Sequence, residues 1–385
     1  MFFPANLPYI VLLRTLHEKE SDLTEKWFKL SRFRFFILIT VFQMIYYWLP
    51  GYIMPILTAF SWMCMINPEN ILLSQLTGYS GFSFGALQFD WWTLTSPWLS
   101  PIVVPRWAQI NIFTGFVLFA WIIMPSLYYS NVFKFKIFPI FDSEFFTLNS
   151  MSDQITLIDA SDLSGLSSVT NIVGTYLLFA SYAALFIHTL LYHGNDIRKH
   201  FKMSLRQRPN DVHCRLMSKY AHFPDWWYTI LFICTFVVAV VTCHRGNFMP
   251  WYYLILALCI SFICLLPVGI VFARTSLILQ NSVIVNIIGG MLFHAYPLDN
   301  ITFSIFSSGT LQQALILLFN FKFCHYMKIS PLATFTTQLG IAILAVIIKQ
   351  SMSYHLLNTV DGICISNPDW ACPNLIVEPA FFAAR

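Results

Sequence analysis

Residues 250–273 read PWYYLILALCISFICLLPVGIVFA and contain no charged side chain. A helix needs about 20 mainly apolar residues to cross the hydrocarbon core of a bilayer, so this stretch predicts a membrane-spanning helix. Windows of similar character lie on either side of it, at 34–49, 51–66, 108–130, 173–193, 226–243, 277–297, 309–327 and 331–350. The sequence therefore predicts an all-α polytopic membrane protein with about nine transmembrane segments.

The composition of the whole chain indicates the same class of protein. Of its 385 residues, 57% are hydrophobic and only 10% are charged, and the mean hydropathy is +0.65. Charged residues make up about a quarter of an ordinary soluble domain, so much of the apolar surface of this chain must face lipid. The net charge of +4 comes without a dense basic face, which argues against a nucleic-acid partner.

The distribution of Lys and Arg predicts the orientation of the chain. Residues 195–225 carry seven basic side chains, and cytoplasmic loops are enriched in Lys and Arg, so we expect this loop in the cytoplasm. The acidic stretch 131–172 fits the opposite side. Nine crossings place both loops on the expected sides if windows 34–49 and 51–66 are two separate segments. Pro50-Gly51 would then form the hairpin between them. The expected regions are a cytoplasmic N-terminal segment at 1–33, a transmembrane domain at 34–350 and a non-cytoplasmic tail at 351–385.

One apolar stretch contains too many breaks for an ordinary helix. Residues 77–85 read TGYSGFSFG and include Gly78, Gly81 and Gly85, and Asp90 follows soon after. Irregular backbone at membrane depth is tolerated where it lines a cavity inside the protein, and broken helices form many transporter sites. The stretch is therefore a candidate substrate or proton path with Asp90 at its polar end. An aromatic-rich loop at headgroup depth is the alternative interpretation.

Isolated polar side chains inside the apolar windows give further candidates. His188 is an ionisable side chain in an apolar window, which suits a proton relay, and a neutral hydrogen bond to a neighbouring helix is an equal alternative. Asn111 and Gln312 are also candidates for the path. The other amides within apolar windows are Gln280, Asn281, Asn286 and Gln313. Each alone more often joins helices than contacts substrate, but their number suggests a wet interior.

The sequence gives no sign of an enzyme, a cofactor or a metal centre. It contains no Gly-rich phosphate loop, Ser nucleophile elbow or metalloprotease helix, and nothing indicates an ATP-driven pump. Its nine Cys are interpreted mostly as small apolar residues rather than as a disulfide framework. Cys364 and Cys372, in the expected outside tail, form the candidate disulfide, with two free thiols as the alternative.

Short blocks along the chain follow the order of a known family. They are residues 50–52 (PGY), 61–64 (SWMC), 77–85, 90–91, 96–111 (SPWLSPIVVPRWAQIN), 115–116, 128–131 (YYSN), 138–141 (FPIF), 188–197 (HTLLYHGNDI), 211–220 (DVHCRLMSKY), 224–227 (PDWW), 250–251, 325–329 (HYMKI) and 372–373. Each block alone is weak, but the ordered set over residues 7–375 is specific. In these blocks the chain resembles the oligopeptide transporter (OPT) family.

The resemblance implies secondary active transport of small oligopeptides, driven by protons, within a helical fold of two related halves. The implied partners are small peptides, protons and the lipid bilayer, and the expected location is the plasma membrane, with an internal membrane as the alternative. Lys328 opens the sequence KISPL where the family has KIPPR, which adds it to the candidate path. Two alternatives stay open: metal–chelate transport, as in a sister branch, and a divergent or truncated non-transporting protein with a scaffold or regulatory role.

Overall fold

The computed structural model of the chain describes residues 3–17, 31–67, 69–90, 103–141, 146–149, 154–157, 168–202, 212–220, 224, 226–279, 281–293 and 296–360. Seven helices within these ranges, of 21 to 30 residues, are long and apolar enough to cross a bilayer. They are Arg32–Ile53, Arg106–Tyr129, Val169–Asn195, Trp226–Gly246, Trp251–Thr275, Leu298–Met327 and Pro331–Thr359. The chain is thus an integral, multi-pass, mainly helical membrane protein, with seven such helices in its described part where about nine segments were predicted.

The α-helices are numbered here in chain order. They are α1 Leu7–His17, α2 Arg32–Trp48, α3 Trp62–Ile66, α4 Ile71–Thr77, α5 Arg106–Phe116, α6 Met124–Tyr129, α7 Val169–Lys202, α8 Val212–Met217, α9 Trp226–Gly246, α10 Trp251–Thr275, α11 Ser282–Leu292, α12 Pro297–Ser304, α13 Thr310–Met327 and α14 Pro331–Thr359. π-helical stretches extend α2 (Leu49–Ile53), join α5 to α6 (Val117–Ile123) and join α12 to α13 (Ile305–Gly309). Short 3-10 helices cover Pro4–Asn6, Pro55–Ala59 and Val132–Ile137.

A small β-hairpin is an exception to the all-α prediction. Strand β1 (Phe146–Asn149) pairs antiparallel with β2 (Gln154–Leu157), so that Phe146 lies opposite Leu157. The hairpin falls between two spanning helices and leaves the helical architecture unchanged.

The predicted hairpin at Pro50-Gly51 is wrong. The helix that begins at Arg32 continues through both residues as a π-helical turn and ends at Ile53. A wider turn accommodates the proline because its ring nitrogen has no N–H to donate. The window 51–66 then holds only short helices, so it is not a separate spanning helix.

The window 277–297 is the second correction. Ser276 has φ of +64°, a left-handed conformation that ends α10, and residues 276–279 are not helical. The helix that follows, α11, has only 11 residues. At 1.5 Å per residue this is about 16 Å, or half of what a bilayer crossing requires. Apolar composition alone does not separate a half-length helix from a full one.

Contacts between residues divide the chain into two compact units. The first unit is Met1–Leu185 with Val268–Leu279, and the second is Phe186–Pro267 with Gln280–Arg385. Apolar side chains form a core in each: Met124, Tyr128, Phe135, Phe138 and Val169 in the first, and Leu254, Ala257, Val285, Phe293 and Phe303 in the second. The division into regions 1–33, 34–350 and 351–385 stays a prediction.

Many large apolar side chains are exposed along the spanning helices. Ile45 is 69% exposed, Val346 67% and Phe262 74%. Water would oppose such a surface, whereas lipid tails are as apolar as these side chains. The exposed faces are therefore suited to contact lipid.

Candidate functional site

The irregular stretch predicted from its glycines forms a closed loop in the first unit. Phe60 and Leu87 exchange backbone hydrogen bonds of 2.8 and 2.9 Å as an antiparallel pair. The Phe89 N–H donates to the Leu57 carbonyl at 2.9 Å, and the Tyr46 hydroxyl donates to the Phe89 carbonyl at 2.6 Å. The end of this stretch therefore returns to the helix that begins at residue 32, and we call residues 78–90 the closed loop.

All three glycines of this loop are required, and a Cβ on Gly78 would collide with the backbone carbonyl oxygen of Ser74. A Cβ on Gly81 would collide with the backbone carbonyl oxygen of Gln75, and that carbonyl is fixed because it accepts the Phe82 N–H at 2.9 Å. Gly85 has φ of +69°, which other residues rarely adopt. The Gly85 carbonyl also accepts a hydrogen bond from the Trp62 indole at 3.1 Å. These contacts hold the loop in one conformation.

Gly78 and Asp90 mark the two ends of the loop. The buried Gly78 caps α4, and its N–H donates to the Ser74 carbonyl at 2.8 Å. Asp90 is half-buried, and its Oδ1 is buried without a hydrogen-bond partner among the described residues. A buried carboxylate oxygen without a donor is unfavourable, so this position favours a hydrogen-bond donor.

Aromatic side chains pack against the loop. Phe84 stacks on Trp121 with ring centroids 5.0 Å apart. The Gln75 amide lies 3.4 Å from the Tyr128 hydroxyl and accepts a hydrogen bond from the Tyr129 hydroxyl at 3.3 Å. An aromatic stack therefore packs against the loop, and Gln75 of α4, just before the loop, makes a polar contact with α6.

A second site lies in the second unit, where α11 packs along α10. At one end of α11, Asn281 interacts with the thiol of Cys264. At the other end, the ring of Phe293 contacts that of Tyr253 at a centroid distance of 4.7 Å. The two helices therefore run antiparallel. Because Cys264 is near the middle of the 25-residue α10, which is long enough to span the bilayer, we expect α11 to begin near the bilayer centre.

Asn281 is the N-cap residue of α11 and is 1% exposed. Its side chain makes no capping bond, and neither Nδ2 nor Oδ1 has a hydrogen-bond partner among the described residues. A thiol is only a weak hydrogen-bonding group, so Cys264 does not satisfy this amide. Burying an amide without partners is unfavourable by about 1–3 kcal/mol, and a hydrogen-bonding ligand would remove this penalty.

Ser261, one helical turn from Cys264, adds a polar group at nearly the same depth. Its buried hydroxyl lies 2.7 Å from the Ser307 carbonyl and 2.9 Å from the Ala257 carbonyl of its own helix. Ser307 is also buried and lies in the π-helical stretch between α12 and α13, and such stretches are frequent at functional sites. We call Ser261, Cys264, Asn281 and Ser307 the mid-depth polar layer.

Further along α11, amide groups connect it to α12. The Asn300 Nδ2 donates to the Asn286 carbonyl at 3.3 Å, and both residues are buried. A Cβ on Gly289 would collide with the Asn300 Oδ1. The glycine therefore allows α11 and α12 to approach closely as a helical hairpin.

Several predicted path residues lie on exposed faces. Asn111 and Gln312 are exposed on α5 and α13, respectively. His188 is exposed on α7, with its ring 4.6 Å from that of Tyr192 on the same helix. None of these three residues belongs to the closed loop or the mid-depth polar layer. Their predicted role in the path stays a prediction.

Lys328 has a structural role at the end of α13. It caps the helix with φ of +61°, and its Nζ donates to the His325 carbonyl at 3.2 Å. Its carbonyl accepts a hydrogen bond from the Tyr220 hydroxyl at 2.7 Å. The other prediction about named side chains, the disulfide between Cys364 and Cys372, lies outside the described residues.

Sequence reasoning recognised only part of the second site. It noted Asn281 and Asn286 as amides in an apolar window, but it did not single out Ser261, Ser307 or Asn300. A serine in an apolar helix is only a weak sign of a site, because its hydroxyl usually forms a hydrogen bond with the backbone of its own helix. The contact between Ser261 and Ser307 joins residues 46 positions apart, which no local pattern reveals.

The fold defines an integral helical membrane protein, and its second site encloses polar groups near the middle of the spanning helix α10. Comparison with known sequences identifies the family. A family model described as OPT oligopeptide transporter protein matches residues 1–377, so the chain belongs to the oligopeptide transporter family. This finding confirms the resemblance recognised in the sequence blocks.

Named relatives agree with this assignment. Oligopeptide transporter 7 of Arabidopsis thaliana is 32% identical over 391 residues, which cover 97% of this chain and 51% of that protein. Oligopeptide transporter 6 of the same plant is 30% identical over 100% of this chain and 54% of its own length. Oligopeptide transporter 3 is 32% identical over 97% of this chain and 53% of its own length. The chain spans about half the length of these curated relatives. No solved structure matches it.

Proposed function

We propose that this chain serves the secondary active transport of small oligopeptides, coupled to the movement of protons. The printed names of its relatives, oligopeptide transporters, support peptides as the substrate class. Enzymatic activity forms no part of the proposal. The plasma membrane is the proposed location, with an internal membrane as the alternative.

The observation that supports transport most is the start of α11 near the bilayer centre, beside the buried amide of Asn281. Transporters built from discontinuous helices bind substrate where a half-length helix begins inside the membrane. Peptides carry backbone donors and acceptors, and the mid-depth polar layer offers amide and hydroxyl groups of both kinds. This pairing favours a peptide over a purely apolar ligand.

The closed loop is proposed as a separate candidate path element within the first unit. Gly78, Gly81 and Gly85 give it an irregular backbone, and Asp90 supplies a titratable group at its end. His188 is the proposed relay within an apolar helix. The remaining proposed path residues are Asn111, Gln312 and Lys328.

Uptake of a labelled tetrapeptide by transporter-deficient cells that express the chain tests the proposal. We expect accumulation that is faster at acidic than at neutral external pH and that collapses when a protonophore removes the gradient. Asn281→Ala should lower uptake, whereas Asn358→Ala, at an exposed position of α14 in the same unit, should not. Surface expression without peptide uptake would contradict peptide transport. A labelled metal–chelate in the same cells then distinguishes the sister-branch activity from a scaffold role.

A further inference from the structure

We propose that the start of α11 binds the terminal carboxylate of the transported peptide. This inference rests on the proposed function and specifies which chemical group of the substrate the mid-depth polar layer receives.

The first N–H groups of a helix have no partners within it and carry a partial positive charge, which favours anions. α11 has 11 residues, enough for an aligned series of peptide dipoles, and it begins at Ser282. Because Asn281 lies beside Cys264 of α10, this helix end lies near the bilayer centre. Electrostatic attraction is stronger there than at a water-exposed helix end.

The Asn281 side chain supplies the second, independent observation. It is 1% exposed, and the Cys264 thiol beside it is only a weak hydrogen-bonding group, so both its Nδ2 and its Oδ1 are buried without a satisfying partner among the described residues. An asparagine side chain at an N-cap usually accepts a hydrogen bond from its own helix, but this one does not. Its Nδ2 is a donor for a carboxylate oxygen, and its Oδ1 is an acceptor for the adjacent amide N–H of a peptide. A peptide end offers both groups.

The chemistry of the surrounding layer fits an anion better than a cation. The group beside Asn281 is the Cys264 thiol, and the Ser261 hydroxyl, one helical turn from Cys264, lies 3.2 Å from the Ser307 hydroxyl; none of these groups brings a fixed negative charge. The positive end of the α11 dipole would repel the ammonium group of a peptide. The carboxylate end is therefore the end that this site selects.

The test compares a labelled tetrapeptide that has a free carboxylate with the same peptide carrying a C-terminal amide. The measured quantity is the ratio of the two uptake rates, which does not depend on how much protein reaches the membrane. One hydrogen bond to a charged group strengthens binding by about tenfold. The natural chain should therefore take up the free acid about ten times faster than the amide. Asn281→Ala should bring the ratio close to one, and Asn281→Asp should reverse it because the added carboxylate repels the free acid.

Asn247→Asp is the matched control, since it adds the same charge at an exposed turn and should leave the ratio unchanged. If an Asn281 variant takes up neither peptide, thermal unfolding of the purified variant and the natural chain in detergent gives a second readout. The free acid should raise the unfolding temperature of the natural chain more than the amide does, and this difference should be absent in Asn281→Ala.

The outcomes distinguish a wrong carboxylate assignment from a wrong proposed function. If the natural chain takes up and binds both peptides equally, the carboxylate assignment is wrong while peptide transport stands. If Asn281→Ala keeps the natural preference for the free acid, the assignment to this helix end is also wrong. If the natural chain responds to neither peptide, the proposed function itself is contradicted.

Discussion

The hydroxyl of Ser261 lies 2.7 Å from the backbone carbonyl of Ser307 and joins the middle of α10 to the π-helical stretch before α13. Both residues are buried in an otherwise apolar core. Ser261→Ala should lower the free energy of unfolding by about 0.6–1.7 kcal/mol, the range measured for hydrogen bonds between membrane helices. Thermal unfolding in detergent measures this change. Thr242→Val, on an exposed face of α9, is the control and should have a smaller effect. Equal effects of the two substitutions would contradict a stabilising role for the Ser261 contact.

Gly81 and Gly115 form a matched pair for testing the closed loop. Gly81→Ala places a Cβ against the Gln75 carbonyl, so we expect destabilisation by about 1–3 kcal/mol, as for other overpacked sites. Gly115 lies in α5 with open space around its Cα, so Gly115→Ala should be neutral or stabilising by up to about 1 kcal/mol. Limited proteolysis at rising temperature reports both changes. A Gly81→Ala chain as resistant as the natural one would show that the loop adjusts freely.

Asp90 should contribute more to proton coupling than to folding. Asp90→Asn keeps the size of the side chain but removes its charge and its titration. In the peptide-uptake assay, we expect a lower rate and a flatter dependence on external pH, with normal amounts of protein in the membrane. Glu69→Gln, an exposed carboxylate nearby in sequence, should preserve both. An unchanged pH profile in the Asp90 variant would exclude it from the mechanism and favour an interfacial loop.

His188 is tested in the same assay. His188→Gln keeps hydrogen-bonding capacity but cannot titrate, so a relay role predicts a shifted pH profile of peptide uptake. His355→Gln, at another exposed position of a spanning helix, should leave the profile unchanged. Full uptake with a natural pH profile in the His188 variant would limit this residue to local packing against Tyr192.

The orientation of the chain gives a further prediction. Consecutive crossings from a cytoplasmic N-terminus through the helices Arg32–Ile53, Arg106–Tyr129 and Val169–Asn195 would place the basic loop 195–225 outside. The seven basic residues of that loop oppose such a placement. We predict that both the N-terminal segment and this loop face the cytoplasm, which requires another crossing between Ile53 and Arg106. Epitope tags inserted at positions 21 and 208 should both need permeabilised cells for antibody binding. If antibody reaches only one of the two tags in intact cells, the two positions lie on opposite sides of the membrane, which would exclude the additional crossing.

The sequence predicted the long spanning helices because lipid imposes a strong and local requirement for about 20 apolar residues. It failed at Pro50-Gly51, where a π-helical turn accommodates two residues that usually end a helix. It also failed at 277–297, because an apolar window contains no information about where a helix starts inside the membrane. The family resemblance was recognisable from ordered blocks of residues.

The candidate sites were only partly predictable. The glycine spacing in 77–85 indicated an irregular backbone because glycine permits conformations that other residues avoid. The pairing of Phe60 with Leu87, which closes that loop, depends on residues far apart in the chain. Likewise, the burial of Asn281 depends on how α11 packs along α10. Such packing is a tertiary property that no window of sequence contains.

The depth at which α11 begins has an electrical consequence. A charge held beside Asn281, near the centre of the bilayer, has crossed about half of the transmembrane voltage, which corresponds to about 1.2 kcal/mol for each 100 mV. In a cell with a negative interior, that voltage opposes the entry of a carboxylate. A proton that moves with the carboxylate cancels the charge and removes this opposition. If the proposed carboxylate site is right, the position of this helix end gives a physical reason for the peptide carboxylate to enter together with a proton.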